Sequence, residues 1–154
     1  TDGKMTRFLM SLSDAIDLVL FAFEKGKSGD LFVNKAPAST INDLANAIIE
    51  IIGKPTKIKI IGTRHGEKLF ETLCTKEEML KAEDLGNFYR IPSDNRDLNY
   101  TQYTTSGQID ISKIENINSH NTERLDVNQI KNLLEKLPYI RKEVFNENHT
   151  ELLS

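Results

Sequence analysis

The chain has 154 residues, of which 38% are hydrophobic and 28% are charged, so it can form the core of one globular domain and is not a disordered tail. Its formal net charge of -3 and its pI near 5.7 argue against a general nucleic-acid-binding protein, and no apolar run approaches the roughly 20 residues that a membrane span needs. One cysteine and three scattered histidines offer neither an internal disulfide nor a metal-ligand spacing, so we expect a cytoplasmic protein without a metal.

Strand and helix signals alternate over the first half of the chain. The first predicted helix begins at Ser13, a favourable N-cap, and ends before Gly26, a common helix stop. Four of its apolar residues follow helical spacing and are predicted to pack inward: Ile16, Val19, Leu20 and Phe23. The second predicted helix is capped by Ser39 or Thr40 and ends at Gly53. The predicted strands cover 5–10, 30–34, 57–61 and 88–91, and 35–39 is a predicted connector.

The second half combines a charged helix, a polar stretch and two apolar helices. Thr75 is the predicted cap of a helix over 76–84, and 67–73 can also be helical. The stretch 93–125 has few core-forming side chains, and its residues 99–100 either dock on a neighbouring subunit or cover the core of their own chain. The sequence predicts further helices over 126–137 and 138–146 and a frayed tail.

A turn that carries an arginine between two glycines follows the predicted strand 57–61. Gly62 and Gly66 permit positive φ angles and a close approach of a ligand to the backbone. Arg64 has a planar set of donors that fits two phosphate oxygens at once. The turn is therefore either an anion clamp for a phosphate or pyrophosphate, or an ordinary turn with a solvated arginine, and the local sequence does not separate the two.

The order of elements predicts an α/β fold with short strands and flanking helices. The first residue is not Met, and the helices are apolar over more than one face, so we expect the carboxy-terminal portion of a larger α/β enzyme. The sequence contains no glycine-rich dinucleotide fingerprint, no P-loop, no Tyr-x-x-x-Lys pair and no nucleophile elbow. Cys74 is predicted to be a small core thiol. We therefore assign no catalytic, cofactor-binding or metal-binding residue within the chain.

Four sequence blocks carry a resemblance to a known family. They are Met-Thr-Arg-Phe at 5–8, Gly-Asp-Leu-Phe-Val-x-Lys-x-Pro at 29–37, Ile-Gly-x-Arg-x-Gly-Glu-Lys-Leu-x-Glu at 61–71 and Ser-His-Asn-Thr at 119–122. In this order and spacing they resemble the C-terminal half of bacterial UDP-N-acetylglucosamine 4,6-dehydratases, which are extended short-chain dehydrogenase/reductases of capsule, O-antigen and flagellin-sugar biosynthesis. Two further blocks, Met-Leu-Lys-Ala-Glu-Asp at 79–84 and Arg-Asp-Leu-Asn-Tyr at 96–100, resemble the capsular dehydratase/5-epimerase branch.

The resemblance implies a division of labour between two halves of a longer enzyme. The missing Rossmann half would bind NADP and carry the catalytic residues, upstream of Thr1, and the present part would close over UDP-N-acetylglucosamine or a related UDP-sugar. The sequence pattern itself predicts an α/β substrate-binding portion over 1–92, an irregular arm over 93–125, C-terminal helices over 126–146 and a frayed tail over 147–154. The implied substrate contacts are Arg7 and Arg64 on the pyrophosphate, Thr1, Asp2 and Lys4 in the nucleotide pocket, and Ser119, His120, Asn121 and Thr122 from the tail.

Each assignment has a structural alternative. The alternative for Arg7 is a surface salt bridge, and the alternative for 119–122 is a capping turn before the helix at Asp126. Glu67 and Lys68 are predicted to be a structural pair that fixes the arginine turn. For the whole chain, the first hypothesis is the UDP-sugar-binding part of an NADP-dependent 4,6-dehydratase, with or without 5-epimerase activity, which is a homo-oligomer at full length and inactive as this piece. The alternatives are part of a UDP-sugar 4-epimerase and a non-catalytic UDP-sugar-binding or assembly module.

Overall fold

The computed structural model describes residues 2–93 and 114–145. In this part of the chain the strands are β1 (Thr6–Phe8), β2 (Leu31–Asn34), β3 (Ala38–Thr40), β4 (Thr72–Cys74), β5 (Glu83–Asp84), β6 (Phe88–Ile91) and β7 (Ile117–Asn118). The helices are α1 (Leu12–Lys25), α2 (Ile41–Ile52), α3 (Lys76–Met79), α4 (Val127–Leu134) and α5 (Pro138–Phe145). These small sheets and helices confirm the predicted α/β class.

The contacts divide the chain into two compact units that are interleaved in sequence. Unit 1 consists of Thr1–Ser11, Pro37–Glu71 and Ser119–Ser154, and unit 2 consists of Leu12–Ala36 and Thr72–Asn118. The four-part division inferred from the sequence stays a prediction, and most of its irregular arm, like Thr1 and the tail, lies outside the described residues.

Unit 1 places helices beside a two-stranded sheet. β1 and β3 pair antiparallel, with Thr6 opposite Thr40 and Phe8 opposite Ala38. α2 packs on α4, and the core between them is built by Ala47, Leu125 and Ile130, which Leu9, Leu44, Val127 and Leu134 surround. Burial of these apolar groups is the main stabilising term for such a pair of helices.

The caps predicted for α2 are confirmed. The Thr40 side chain accepts a hydrogen bond from the Asp43 amide at 3.0 Å, and Gly53 ends the helix with φ of 67°. α4 begins after a reciprocal cap, in which Asp126 and Gln129 each bond the other's backbone amide. It ends at Leu134 rather than at the predicted residue 137.

Unit 2 is built around a three-stranded antiparallel sheet in the order β2-β6-β5 and a short β4-β7 pair. Val33, Cys74 and Ile91 form its core. The prediction that Cys74 is a core thiol is thus confirmed. Burial raises the pKa of this thiol, and the nearby Glu78 carboxylate raises it further. A protonated, buried thiol is a poor nucleophile.

α1 packs with the face opposite to the predicted one. Phe21 contacts the rings of Phe32 and Phe88, with ring centroids 5.8 Å and 4.7 Å away. The face that was predicted to pack inward is exposed, and Phe23 keeps 84% of its accessible area. The reason is that both faces of the helix are apolar, whereas unit 2 offers a sheet to only one of them. The exposed apolar face of α1 comprises Leu12, Ile16, Val19, Leu20 and Phe23.

Residues 57–61, a predicted strand, are irregular. Their side chains are exposed, and the segment pairs with no strand in the described ranges. A β-branched composition favours a strand only where a neighbour completes the hydrogen-bond ladder, so the prediction from composition is wrong here.

The helix predicted over 67–73 is also absent. The carbonyl of Leu69 accepts from the Thr6 amide at 3.0 Å, and the carbonyl of Glu71 accepts from the Ser119 amide at 2.8 Å. These carbonyls therefore bond to distant segments and do not close helical turns. Residues 72–73 belong to β4.

Two further boundaries differ from prediction for the same reason. α3 begins after the predicted Thr75 cap but ends at Met79, because 83–84 pair with β6 as β5. The predicted connector 35–39 ends in β3, which pairs with β1. In both cases a pairing with a distant strand overrides the local preference.

Candidate functional site

The turn that carries Arg64 is held by its own backbone and by Glu67. The Glu67 amide donates to the Arg64 carbonyl at 3.1 Å, and the Arg64 amide donates to Glu67 Oε2 at 2.9 Å. Gly62 and Gly66 have φ angles of 75° and 77°, as the turn prediction required. The Arg64 side chain is exposed and forms no hydrogen bond or ion pair with the residues that the structure describes. A fixed backbone thus presents a guanidinium whose donors are available to an anion.

Arg7 is fixed to the segment that follows this turn. Its Nη1 donates to the Thr6 carbonyl at 2.7 Å, and its Nη2 donates to the Lys68 carbonyl at 2.9 Å. Its Nε lies 3.8 Å from Glu71 Oε1. Arg7 is therefore bonded to the loop that carries Arg64, at Lys68, which follows Arg64 by four residues. Both arginines belong to unit 1.

A buried pair of hydroxyls joins the segments beneath Arg7. Thr6 and Ser119 are fully buried, and their hydroxyl oxygens lie 2.7 Å apart. Ser119 Oγ donates to the Thr6 carbonyl at 3.1 Å and accepts from the Glu71 amide at 3.0 Å. One hydroxyl therefore holds β1, the loop before β4 and the turn after β7 in register. In this structure the Ser119 hydroxyl is used inside the protein, and a contact with substrate stays a prediction.

The same hydroxyl pair reaches the His120 ring. Thr6 Oγ1 lies 3.0 Å from His120 Nδ1, within hydrogen-bond distance. The buried Thr6 hydroxyl therefore contacts both Ser119 and His120, two of the predicted substrate contacts.

The predicted substrate contacts at 119–122 form a turn between β7 and α4. The His120 ring lies against Phe70 with centroids 4.9 Å apart, and Arg124 Nη2 donates to the carbonyls of Ser119 and His120 at 3.4 Å and 3.1 Å. Asn121 is exposed and Thr122 is half-buried. The turn is therefore anchored from both ends, and the cap of α4 is Asp126 rather than any residue of the turn.

Asp2 and Lys4 form a tight turn before β1, and Thr1 lies outside the described residues. Asp2 Oδ1 accepts from the Lys4 amide at 2.9 Å. Gly3, between them, receives the Asn42 amide of α2 on its carbonyl at 3.0 Å. A cleft of about 240 Å³ lies beside this turn, and its lining includes none of the predicted site residues. It is lined by Gly3, Ile41, Asn42, Ala45 and residues 58–61.

Unit 2 holds a different kind of charged group. Arg90 bridges Asp30 and Glu83 at 2.8 Å and 3.0 Å, and the hydrogen bond from Arg90 is the main cause that lowers the pKa of Asp30. The Lys35 ammonium in the same way lowers the pKa of Asp84. Arg90 joins β6 to β5 and to the turn before β2, Lys35 joins the end of β2 to β5, and these residues coincide with none of the predicted substrate contacts.

Some residues of unit 1 were not predicted to matter. Thr6 holds two predicted site residues, Glu71 faces Arg7, and Arg124 closes the 119–122 turn. Thr6 and Glu71 lie in the quoted sequence blocks, and this was the signal in the sequence that could have identified them.

Among the described residues, no three His, Cys, Asp or Glu side chains are grouped to hold a metal ion. None of the helices in the described ranges combines the length and apolar character needed to cross a membrane.

Comparison with known proteins gives consistent matches. A family model described as polysaccharide biosynthesis protein matches residues 1–93, and one described as polysaccharide biosynthesis protein C-terminal matches residues 94–141. The UDP-glucose 4-epimerase of Rickettsia felis (strain ATCC VR-1525 / URRWXCal2) is 54% identical over 146 residues, which are 95% of this chain and 43% of that protein. The UDP-glucose 4-epimerases of Rickettsia bellii (strain OSU 85-389) and Rickettsia prowazekii (strain Madrid E) are 56% and 53% identical with the same coverage.

The fold is also similar to a solved structure. The X-ray structure of Pen from Bacillus thuringiensis superposes with a TM-score of 0.70 and 32% sequence identity, over 87% of this chain and 38% of that chain. The chain therefore spans less than half of the length of the relatives that it matches.

Proposed function

The chain belongs to the polysaccharide biosynthesis protein family, and from this membership we propose that it is the UDP-sugar-binding part of an enzyme that modifies activated sugars. The observation that carries the proposal is the Arg64 turn, where a fixed backbone presents an exposed guanidinium without a partner among the described residues. The names of the Rickettsia relatives support a UDP-sugar as the ligand.

Arg64 and Arg7 suit the two phosphates of a nucleoside diphosphate. A diphosphate carries charge that a single guanidinium cannot neutralise, and planar donors from two arginines can bracket it. Arg7 adds a cation whose position is fixed by two backbone carbonyls, and Arg64 adds an exposed cation. Binding energy gathered at the diphosphate, remote from the reacting ring, can position the sugar for hydride transfer.

Two reactions are candidates for the longer enzyme. The first is 4-epimerisation of a UDP-sugar, which the names of the relatives at 53 to 56% identity favour. The second is 4,6-dehydration of UDP-N-acetylglucosamine, which the sequence blocks at 79–84 and 96–100 favour. Use of the product in a capsule or O-antigen polysaccharide belongs to the same proposal. A homo-oligomer at full length and a cytoplasmic location stay predictions.

NADP is proposed for a part of the enzyme other than the residues described. The sheets of the described ranges are antiparallel and of two or three strands, and α1 and α2 do not follow a glycine-rich loop after a parallel strand. Dinucleotides bind where parallel strands meet helix N-termini, so these residues do not fit the cofactor. We accordingly expect purified 1–154 to show neither epimerase nor dehydratase turnover.

The binding proposal is tested by calorimetry of this chain with UDP-N-acetylglucosamine. We expect Arg64→Ala to weaken binding about 10- to 100-fold, because a charge-assisted bidentate contact is lost. Arg141→Ala, which removes an exposed arginine of α5 that donates to the Glu135 carbonyl, is the matched control and is expected to bind as wild type does. Equal affinities for wild type and Arg64→Ala would refute the proposal.

The two reactions are separated by their products. The full-length protein is incubated with UDP-glucose and, separately, with UDP-N-acetylglucosamine. An epimerase would give a 4-epimer of its substrate, and a dehydratase would give a 4-keto-6-deoxy sugar. Carbon NMR of the product distinguishes a new hydroxyl configuration from a carbonyl at C4 and a methyl at C6.

A further inference from the structure

We propose that Glu71 is an internal counter-ion that the diphosphate of the ligand displaces from Arg7, so that this carboxylate limits the affinity of the site. The inference rests on the proposed function, because it takes the diphosphate to be the anion that Arg7 receives. It assigns to Glu71 a role in affinity and not in chemistry.

The Glu71 carboxylate faces two cations but is held loosely by both. Its Oε1 lies 3.8 Å from Arg7 Nε, and its Oε2 lies 4.0 Å from Lys68 Nζ. Both separations exceed a hydrogen-bond length, so the attraction is that of charges only. The side chain is 41% exposed, and water can therefore replace these contacts at little cost.

The backbone of Glu71 is fixed, in contrast to its side chain. Its amide donates to the buried Ser119 hydroxyl at 3.0 Å, and its carbonyl accepts from the Ser119 amide at 2.8 Å. Because Ser119 is also bonded to Thr6, the Cα of Glu71 cannot move away from β1. The carboxylate can swing out on its own side-chain torsions while the loop remains in place.

Arg7 shows the opposite arrangement. Two of its nitrogens donate to the carbonyls of Thr6 and Lys68 at 2.7 Å and 2.9 Å, so the guanidinium has a defined position. These acceptors are neutral, and within residues 2–93 and 114–145 the carboxylate that faces the positive charge is that of Glu71. A fixed cation with a loosely held anion is suited to exchange that anion for a phosphate oxygen, which can approach to hydrogen-bond distance.

Displacement of the carboxylate must reduce the affinity by the strength of the contacts that are broken. Exposed ion pairs of this kind account for about a two- to fivefold change in an equilibrium constant. We therefore expect Glu71→Gln to bind UDP about two- to fivefold more tightly than wild type. The amide keeps the size of the side chain and removes only its charge.

The experiment is calorimetric titration of wild type, Glu71→Gln and Glu123→Gln with UDP and with uridine. Glu123 is exposed, and its backbone carbonyl accepts a hydrogen bond from the Ala38 amide, so Glu123→Gln makes the same change in net charge outside the ion pair. We expect Glu71→Gln to tighten UDP binding beyond any effect of Glu123→Gln and to leave uridine binding within twofold, because uridine has no phosphate. Unfolding midpoints of the three proteins show that each is folded.

The outcomes separate the inference from the proposal on which it rests. If UDP binds and Arg64→Ala weakens it, but Glu71→Gln is unchanged or weaker, the counter-ion role is wrong and the UDP-sugar site stands. If wild type binds no UDP, or Arg64→Ala binds as well as wild type, the proposed function fails and the counter-ion role fails with it.

Discussion

Arg7 in unit 1 and Arg90 in unit 2 are both partly buried arginines near carboxylates, yet their hydrogen bonds go to different acceptors. Arg90 donates to the carboxylates of Asp30 and Glu83 at 2.8 Å and 3.0 Å, and the Asp30 side chain is only 2% exposed. Arg7 donates to two backbone carbonyls, and the carboxylate that it faces in the described part of the chain, that of Glu71, is 3.8 Å away. The charge of Arg90 is compensated by hydrogen-bonded carboxylates, whereas the charge of Arg7 is held in a defined position by neutral groups and is only weakly compensated.

The comparison teaches how to separate a structural arginine from a binding arginine when both are partly buried. The pKa of Asp30 is lowered chiefly by its hydrogen bond from Arg90, which marks a pair in which each charge stabilises the other. Neutral acceptors, such as the two carbonyls bonded to Arg7, orient a guanidinium without compensating its positive charge. Exposure alone would not have distinguished the two, since the side chains are 28% and 17% exposed.

The largest expected effects come from removing each arginine in turn. Arg7→Ala should weaken UDP binding by about tenfold, because one of two charged contacts to the diphosphate is lost. Arg90→Ala should leave UDP affinity within twofold and lower the unfolding midpoint by several degrees, because Asp30 would remain buried without its partner. Calorimetry and thermal unfolding of both variants should show that Arg7→Ala mainly loses affinity and that Arg90→Ala mainly loses stability. A loss of UDP affinity in Arg90→Ala equal to that in Arg7→Ala would break the comparison.

A smaller effect is expected at the hydroxyls beneath Arg7. Ser119→Ala should lower the free energy of unfolding by about 1–3 kcal/mol, because the Glu71 amide loses its acceptor and the Thr6 carbonyl loses a donor inside the protein. Urea denaturation measures the change. Ser28→Ala, which removes the hydroxyl of an exposed serine, serves as the matched control and should change stability by less than about 0.5 kcal/mol. Equal losses in the two variants would show that the Ser119 hydroxyl has no special role.

The smallest effect concerns pH and belongs to unit 2. The folded pKa of Asp30 lies below the ordinary value of 3.8, so its contribution to stability is fully present above that value and disappears as the pH falls through the lower, folded pKa. Asp84, paired with Lys35, has the same sign. Between about pH 6 and pH 3, wild type should therefore lose more of its unfolding free energy than Asp30→Asn does. Parallel acid profiles of the two proteins would contradict the assignment.

Local chemistry allowed the best predictions from the sequence. The ends of α2 follow from Thr40 and Gly53, and the Arg64 turn follows from two glycines that adopt positive φ. Each of these depends on residues a few positions apart. The α/β class could be predicted for the same reason, because most of the helices and the strands β1, β2 and β6 carry clear local signals.

Contacts between distant segments could not be predicted in this way. The hydroxyl pair joins residues 113 positions apart, and no periodicity in the sequence announces such a bond. The short strands β3, β4 and β7 exist because a partner lies beside them, whereas 57–61 has the right composition and no partner in the described ranges. In the same way, which side of α1 would be covered depends on the position of Phe32 and Phe88 and not on helical spacing.

The exposed apolar face of α1 has a practical consequence for every titration described above. Five large aliphatic and aromatic side chains in one stripe form a water-accessible ridge of the kind that drives self-association of soluble proteins. Purified chain should therefore bind an environment-sensitive dye such as ANS and show light scattering that grows with concentration. Phe23→Glu would interrupt the ridge and leave the contacts of Phe21 with Phe32 and Phe88 in place. We expect this variant to self-associate less during ligand titrations.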